Sequence, residues 1–214
     1  MNYFAGLRGE EGNDTLDPGL GADYVDGGTE TDLLKVDYST ITTAGISTTV
    51  GANGSGTISA GDSTISYFNI EQFDILGTSQ ADNLRGGNLS DTLRGGAGND
   101  TLNGGGASPS LSQIDILTGG LGRDRFVLGD TNTVFYDDNN VLTAGTDSYA
   151  RLTDFNTSED IIQLRGVSTD YRLVLSGSNT QLFRDKPGTE PDELIALIDA
   201  QTGLNLTNSY FNYS

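Results

Sequence analysis

Residues 77–103 read GTSQADNLR, GGNLSDTLR, GGAGNDTLN: three nine-residue units that put Asp82, Asp91 and Asp100 at the sixth position and Leu84, Leu93 and Leu102 at the eighth. The same spacing holds upstream, where residues 9–35 divide into GEEGNDTLD, PGLGADYVD and GGTETDLLK, with Asp14, Asp23 and Asp32 nine apart. After Asn103 the register slips by six through GGGASPSLSQIDILT, read as one unit with an insertion and ending on Asp115; GGLGRDRFV then restores it with Asp124. Position eight is apolar in all eight units: Leu16, Val25, Leu34, Leu84, Leu93, Leu102, Leu117 and Phe126. At 35% apolar content such a column arises by chance about two times in ten thousand. A flexible Gly/Asp linker would have no apolar column. Each unit buries one such residue, so no unit is stable alone and the units must stack.

Composition narrows the chemistry. The 214 residues include no His, Cys or Trp, which excludes Ser-His-Asp and Cys-His catalysis, His/Cys zinc sites and disulfides. The charge is −19, and 23 Asp against 7 Glu beside 30 Gly favours turns over helices. That charge repels nucleic acid and anionic lipid, so no nucleic-acid partner is expected, and it makes the compact state self-repulsive unless cations neutralise it. The longest apolar run, Leu194 to Ile198, falls far short of the roughly 18 residues of a membrane span. Residues 1–10 show no charged start, apolar stretch and small-residue cleavage site.

Glycines at positions one, two and four permit positive φ and let backbone carbonyls turn toward a common point, while position six supplies a carboxylate. Calcium takes six to eight hard oxygens at about 2.3–2.6 Å in a tolerant geometry, which carbonyls and Asp together can provide. One such Asp alone reads equally as a turn residue bonding its own backbone. Eight in register on neighbouring turns would repel one another without metal.

The units resemble the GGxGxDxUx pattern of repeats-in-toxin (RTX) proteins, over residues 9–35 and 77–127 specifically and 128–214 loosely. The resemblance implies an all-β fold: a right-handed parallel β-roll, two units per turn, with calcium between units n and n+2. Carried onto this sequence, one site uses Glu10, Gly12, Asp14, Gly27, Thr29 and Asp32. A second uses Thr78, Gln80, Asp82, Gly95, Ala97 and Asp100, and a third Gly96, Gly98, Asp100, Gly119, Leu121 and Asp124. On the other side Gly87, Leu89 and Asp91 face Gly104, Gly106 and Asp115, with a partial site at Asp23. Glu10, Pro18, Glu30, Thr78, Gln80 and Leu89 occupy family glycine positions, which weakens the sites built on them.

Residues 36–76 break the period and read as Thr/Ile/Ser-rich strands, one elongated rung with an extruded hairpin, Ile75 taking the eighth position. The expected division is a roll over 1–127 with this excursion inside it, then a C-terminal antiparallel β cap over 128–214. DELIALID suits a short helix after Pro191 or a buried strand. LTDFNTSEDIIQL resembles the segment that follows the repeats in serralysin-type proteases, which implies either that Asp154 or Asp160 completes a last calcium site beside Asp124 or that they serve a turn or capping role. YDDNN at 136–140 reads as a solvated loop or a further cation site.

The resulting expectation is a calcium-binding module, not an enzyme, that folds outside the cell as part of a larger exported bacterial protein, with the type I secretion machinery as a partner by resemblance. Polysaccharide binding is the alternative. Its candidates among the repeats are Arg85, Arg94, Arg123 and Arg125.

Overall fold

The computed structural model describes residues 6–51, 54–105, 112–137 and 145–214. The nine-residue period becomes a coil of short strands joined by tight turns. In chain order they are β1 (Gly6–Arg8), β2 (Thr15–Leu16), β3 (Ala22–Asp26), β4 (Leu33–Asp37), β5 (Ser47–Val50), β6 (Gly56–Ala60), β7 (Ser63–Phe68), β8 (Gln72–Leu76), β9 (Asn83–Arg85) and β10 (Thr92–Ala97). They continue as β11 (Thr101–Asn103), β12 (Ile114–Leu121), β13 (Arg125–Val127), β14 (Tyr149–Leu152), β15 (Ile161–Leu164), β16 (Tyr171–Ser176), β17 (Asn179–Arg184), β18 (Glu193–Ile198) and β19 (Phe211–Tyr213). No α-helix occurs among the described residues, so none is long and apolar enough to cross a membrane.

The strands form two sheets, ordered β1-β3-β7-β6-β5-β9-β11-β13-β15-β19 and β16-β17-β18-β14-β12-β10-β8-β4-β2. Successive repeat strands fall alternately in one sheet and the other, so two units complete a turn. The eighth-position residues become two stacked columns. Leu84, Leu102, Phe126, Ile162 and Phe211 pair in sequence in the first sheet. Ile75, Leu93, Leu117, Leu152 and Ile198 do so in the second. All ten are buried in one core. Because Leu93 pairs with Leu117, the six-residue slip is absorbed before β12 and leaves the column intact. Leu117→Ala, in the middle of its column and fully buried, should cost about 3 kcal/mol in urea unfolding at saturating calcium. A loss under about 1 kcal/mol would contradict the stacking.

The excursion is not extruded. β5, β6 and β7 form an antiparallel meander built into the first sheet, with β7 parallel to β3 and β5 meeting β9 at Ser47–Asn83. Its backbone groups are thus paired within the sheet, which adds strands there that the second sheet does not match. In the second sheet β8 bridges β4 and β10 directly, in two registers: Phe73 lies opposite Leu34 on one side and Ile75 opposite Leu93 on the other. Beyond Leu128 the parallel ladders run on through β14, β15, β18 and β19, and the antiparallel part of the cap is confined to β16, β17 and β18. DELIALID forms the buried strand β18, paired with β14 on one side and β17 on the other.

Candidate metal centre

The turns that join the sheets carry the acidic residues in two ladders. On one edge the main-chain N–H of Asp82 donates to Asp100 Oδ1 at 2.8 Å, that of Asp100 to Asp124 Oδ1 at 2.9 Å, and that of Asp124 to Asp160 Oδ1 at 2.9 Å. On the other edge Asp14 N–H donates to Asp32 Oδ1 at 2.8 Å, Asp32 N–H to Glu71 Oε2 at 3.0 Å, and Asp91 N–H to Asp115 Oδ1 at 2.8 Å. The Asp carbonyls accept from the next turn as well, as in Thr101 N–H to Asp82 O and Arg125 N–H to Asp100 O. Each carboxylate that accepts in these ladders therefore uses one oxygen to hold the turn before it. The other oxygen separates the rungs into two kinds.

Oδ2 of Asp14, Asp32, Asp100 and Asp124 is buried and has no hydrogen-bond partner. A buried anionic oxygen without a donor is costly unless a cation lies against it. Each of these oxygens packs against the first glycine of its unit, 2.2 to 2.5 Å from where a Cβ would stand. A methyl group placed on Gly9 would meet Gly27 O and Asp14 Oδ2; one on Gly95 would meet Asp100 Oδ2 and, at 2.6 Å, Gly119 O. Carbonyl oxygens of the next turn thus face the unpartnered carboxylate oxygens, the donor chemistry that suits calcium. Among the described residues no group of three or more acidic side chains gathers to hold a metal, so an ion here draws most of its ligands from the backbone.

The remaining rungs are closed by protein donors. Asp82 Oδ2 accepts Thr78 N–H at 2.7 Å and its Oδ1 accepts the Thr78 hydroxyl at 2.9 Å. Asp91 Oδ2 accepts Gly87 N–H, and its Oδ1 accepts Phe73 N–H, both at 2.7 Å. Asp115 Oδ2 accepts the Tyr136 hydroxyl at 2.6 Å and Gln113 Nε2 at 3.0 Å. Tyr136 is buried and held at a φ of 63°, a left-handed conformation that a bulky side chain seldom adopts without compensation. Its hydroxyl and Asp115 Oδ2 both lie against the bare Gly104, 2.5 and 2.2 Å from where a Cβ would stand. Asp160 Oδ2 accepts Asn156 N–H at 2.8 Å.

The other expected donors fall on these turns. Thr78, Gln80, Gly87, Gly96 and Gly98 oxygens face Gly96, Gly98, Gly105, Gly120 and Gly122 one turn on, and Gly104 O faces Gly86. Gly95 O and Asp82 Oδ2 both pack against Gly77. Glu10 O accepts Thr29 N–H at 2.9 Å and the Thr29 hydroxyl at 3.5 Å, and Leu121 O accepts Gly98 N–H at 2.8 Å. Gly12 and Leu89 lie within the same turns, Ala97 ends β10, and Gly106 is outside the described residues. Glu10 and Glu30 adopt the positive φ of the glycines they replace, at 74° and 82°, while Thr78, Gln80 and Leu89 do not. Asp23 is buried opposite Ile65 of β7, so no second carboxylate stacks on it.

A family profile for the RTX calcium-binding nonapeptide repeat matches residues 7–34, 76–108 and 112–134, in four copies. These segments are RTX repeats. RTX nonapeptides bind calcium, and the two-sheet parallel coil they build here is the RTX β-roll. Among solved structures, the AlgE6R3 subunit of a mannuronan C5-epimerase from Azotobacter vinelandii is similar at 25% identity over 60% of this chain and 70% of that one, with a TM-score of 0.40. The extracellular lipase LipA from Serratia marcescens is similar at 14% identity over 94% of this chain and 39% of that one, with a TM-score of 0.30. No curated protein matches the chain.

Without metal, the RTX turns hold their acids in an environment that disfavours charge. Burial pushes Asp100 up to about 7 and Asp124 to about 6, with neighbouring carboxylates adding to the rise. Asp82 and Asp160 are raised for the same first reason. Asp115 is raised to about 7 by burial, against the lowering effect of its Tyr136 and Gln113 donors, and Asp91 is raised by burial and by Asp115.

Sequence reasoning missed Glu71, Tyr136 and Gln113, and left Asp154 and Asp160 as alternatives. Asp160 takes the ladder position, while Asp154 accepts Gly119 and Gly120 N–H at 2.9 and 2.8 Å and so clamps the last repeat turn. Glu71 was legible, since Glu71-Gln72-Phe73 repeats the acid-x-apolar pattern, but phasing on Ile75 hid it. In 136–140, Asp137 pairs with Lys186 Nζ at 2.6 Å, and residues 138–140 are outside the described set. The arginines do not line one face: Arg94 on β10 pairs with Asp74, and Arg125 is on β13 in the other sheet, bonded to Gln163.

Proposed function

We propose that this chain is a calcium-responsive folding module of an exported bacterial protein, extended where calcium is scarce inside the cell and folded where it is plentiful outside. The observation that carries the reading is the set of buried carboxylate oxygens without donors at Asp14, Asp32, Asp100 and Asp124. Calcium would be held best between Asp14 and Asp32 and between Asp100 and Asp124, with Gly27 and Gly119 carbonyls among the donors. The Asp82–Asp100 rung, partly closed by Thr78, would bind more weakly. The Asp91–Asp115 rung would be held by Tyr136 and Gln113 in place of an ion. Each ion adds two positive charges to a chain of net charge −19, relieving the self-repulsion that opposes compaction. Because the ligands come together only in the folded coil, binding is coupled to folding. The paired acids are accounted for as ligands and turn clamps, and no catalytic role is assigned to them. Export by type I secretion follows from the RTX resemblance.

Far-UV circular dichroism and radius of gyration, each with calcium and with chelator at pH 7.5, test this. The expected result is an expanded, strand-poor chain in chelator that compacts on adding calcium. An equally compact, strand-rich form in chelator would refute it.

A further inference from the structure

We propose a calcium-type cation site where no repeat supplies its second half, between the turn at 27–32 and the turn at 69–71, on Asp32 Oδ2, Asn69 O and the Glu71 carboxylate. It rests on the reading of the roll as calcium-bound. The repeat matches stop at residue 34 and resume at 76, so Asn69 and Glu71 belong to neither. Asp32 is 0% exposed and its Oδ2 has no partner. That oxygen lies 2.5 Å from where a Cβ on Gly27 would stand, and Asn69 O lies 2.0 Å from the same point, so the two oxygens converge on the bare glycine. The arrangement repeats the one at Gly9, where Asp14 Oδ2 and Gly27 O face each other.

The third element is also present. Glu71 Oε2 accepts Asp32 N–H at 3.0 Å, the bond that Asp32 Oδ1 makes to Asp14 N–H at 2.8 Å and Asp124 Oδ1 makes to Asp100 N–H at 2.9 Å. The register that sets Phe73 on Leu34 places Glu71 two residues before a core side chain, as each repeat Asp is. This turn has three residues, 69–71, where a repeat turn has six, and glutamate adds a methylene to the shortened connection. Asn69 sits at a φ of 52°, and its side-chain Nδ2 donates to Asp26 Oδ1 at 2.8 Å, which fixes where its carbonyl points. The ladder Asp14–Asp32–Glu71 thus holds two consecutive positions for an ion, with Asp32 common to both.

Calcium bound per chain, read by equilibrium dialysis and elemental analysis at pH 7.5, tests the site in the native chain, Glu71→Gln, Asp14→Asn and the double variant. Glu71→Gln should lose one ion, Asp14→Asn a different one, and the double variant two. Undiminished stoichiometry in Glu71→Gln overturns the proposal. Should that variant fail to fold, anomalous diffraction from native crystals grown in calcium decides: density between Asp32 and Glu71 supports the site, and density only at repeat rungs overturns it. A native chain that binds no calcium at any rung would instead sink the reading on which the proposal rests.

Discussion

In chelator, the stability of the folded chain should fall as pH rises from 4.5 to 7.5, and in saturating calcium it should rise over the same range. The sign follows from the raised carboxyls. Asp100 and Asp115 at about 7 and Asp124 at about 6 hold protons in the metal-free fold that an unfolded chain, with an ordinary value of 3.8, has released. Their stabilising contribution is complete below 3.8 and is lost as pH climbs through 6 and 7, at about 1.4 kcal/mol per pH unit for each proton difference. Asp37 and Asp192, lowered by hydrogen bonds from Ser39 and Lys186 respectively, change stability only below 3.8, outside this window. Calcium competes with those protons, so it binds best when the acids are ionised. Each site at a free calcium about 1,000 times its dissociation constant adds about 4 kcal/mol. Urea unfolding in calcium, and the folded fraction by far-UV circular dichroism in chelator, each at three pH values, measure the two slopes. A chelator series whose stability increases from pH 4.5 to 7.5 would contradict the buried-carboxyl account.

Asp100→Asn should be far more damaging to calcium binding than Asp115→Asn, although both acids sit at the same repeat position and both are buried. Asp100 Oδ2 has no protein donor, so replacing it with an amide puts N–H groups where a cation is needed. The variant should lose at least one ion and need at least about tenfold more calcium to fold, a shift of about 1.4 kcal/mol or more. Asp115 Oδ2 already has Tyr136 and Gln113, so Asp115→Asn should leave the stoichiometry unchanged and cost about 1–3 kcal/mol through the disturbed hydrogen bonds. Isothermal titration calorimetry separates the two. Equal losses of calcium in both variants would show that unpartnered oxygens do not mark the sites.

Part of this could be read before any coordinates. The alternation of Asp and an apolar residue two positions on placed Leu84, Leu93, Leu102 and Leu117 in the core, because a stack of units that each bury one side chain leaves no other place for them. The excursion was harder. Its strands were visible in their Thr/Ile content, but whether β5–β7 leave the sheet or join it depends on pairing with β3 and β9, which are distant in sequence. Residues 155–163 carry the next unit without a single glycine, and Asp160 and Ile162 show their roles only when laid against Asp124 and Phe126.

The sequence by itself determined the coil, the two-column core, the oxygen-only side chains at the sixth position and the ladder positions of the repeat acids, since these follow from a local period and the residue types that occupy it. Only the tertiary structure decided which of those acids are free to meet an ion. That depends on what reaches each second carboxylate oxygen across the turn. Thr78 comes from the same unit, Tyr136 from a loop 21 residues beyond Asp115, and at Asp14, Asp32, Asp100 and Asp124 no donor arrives at all.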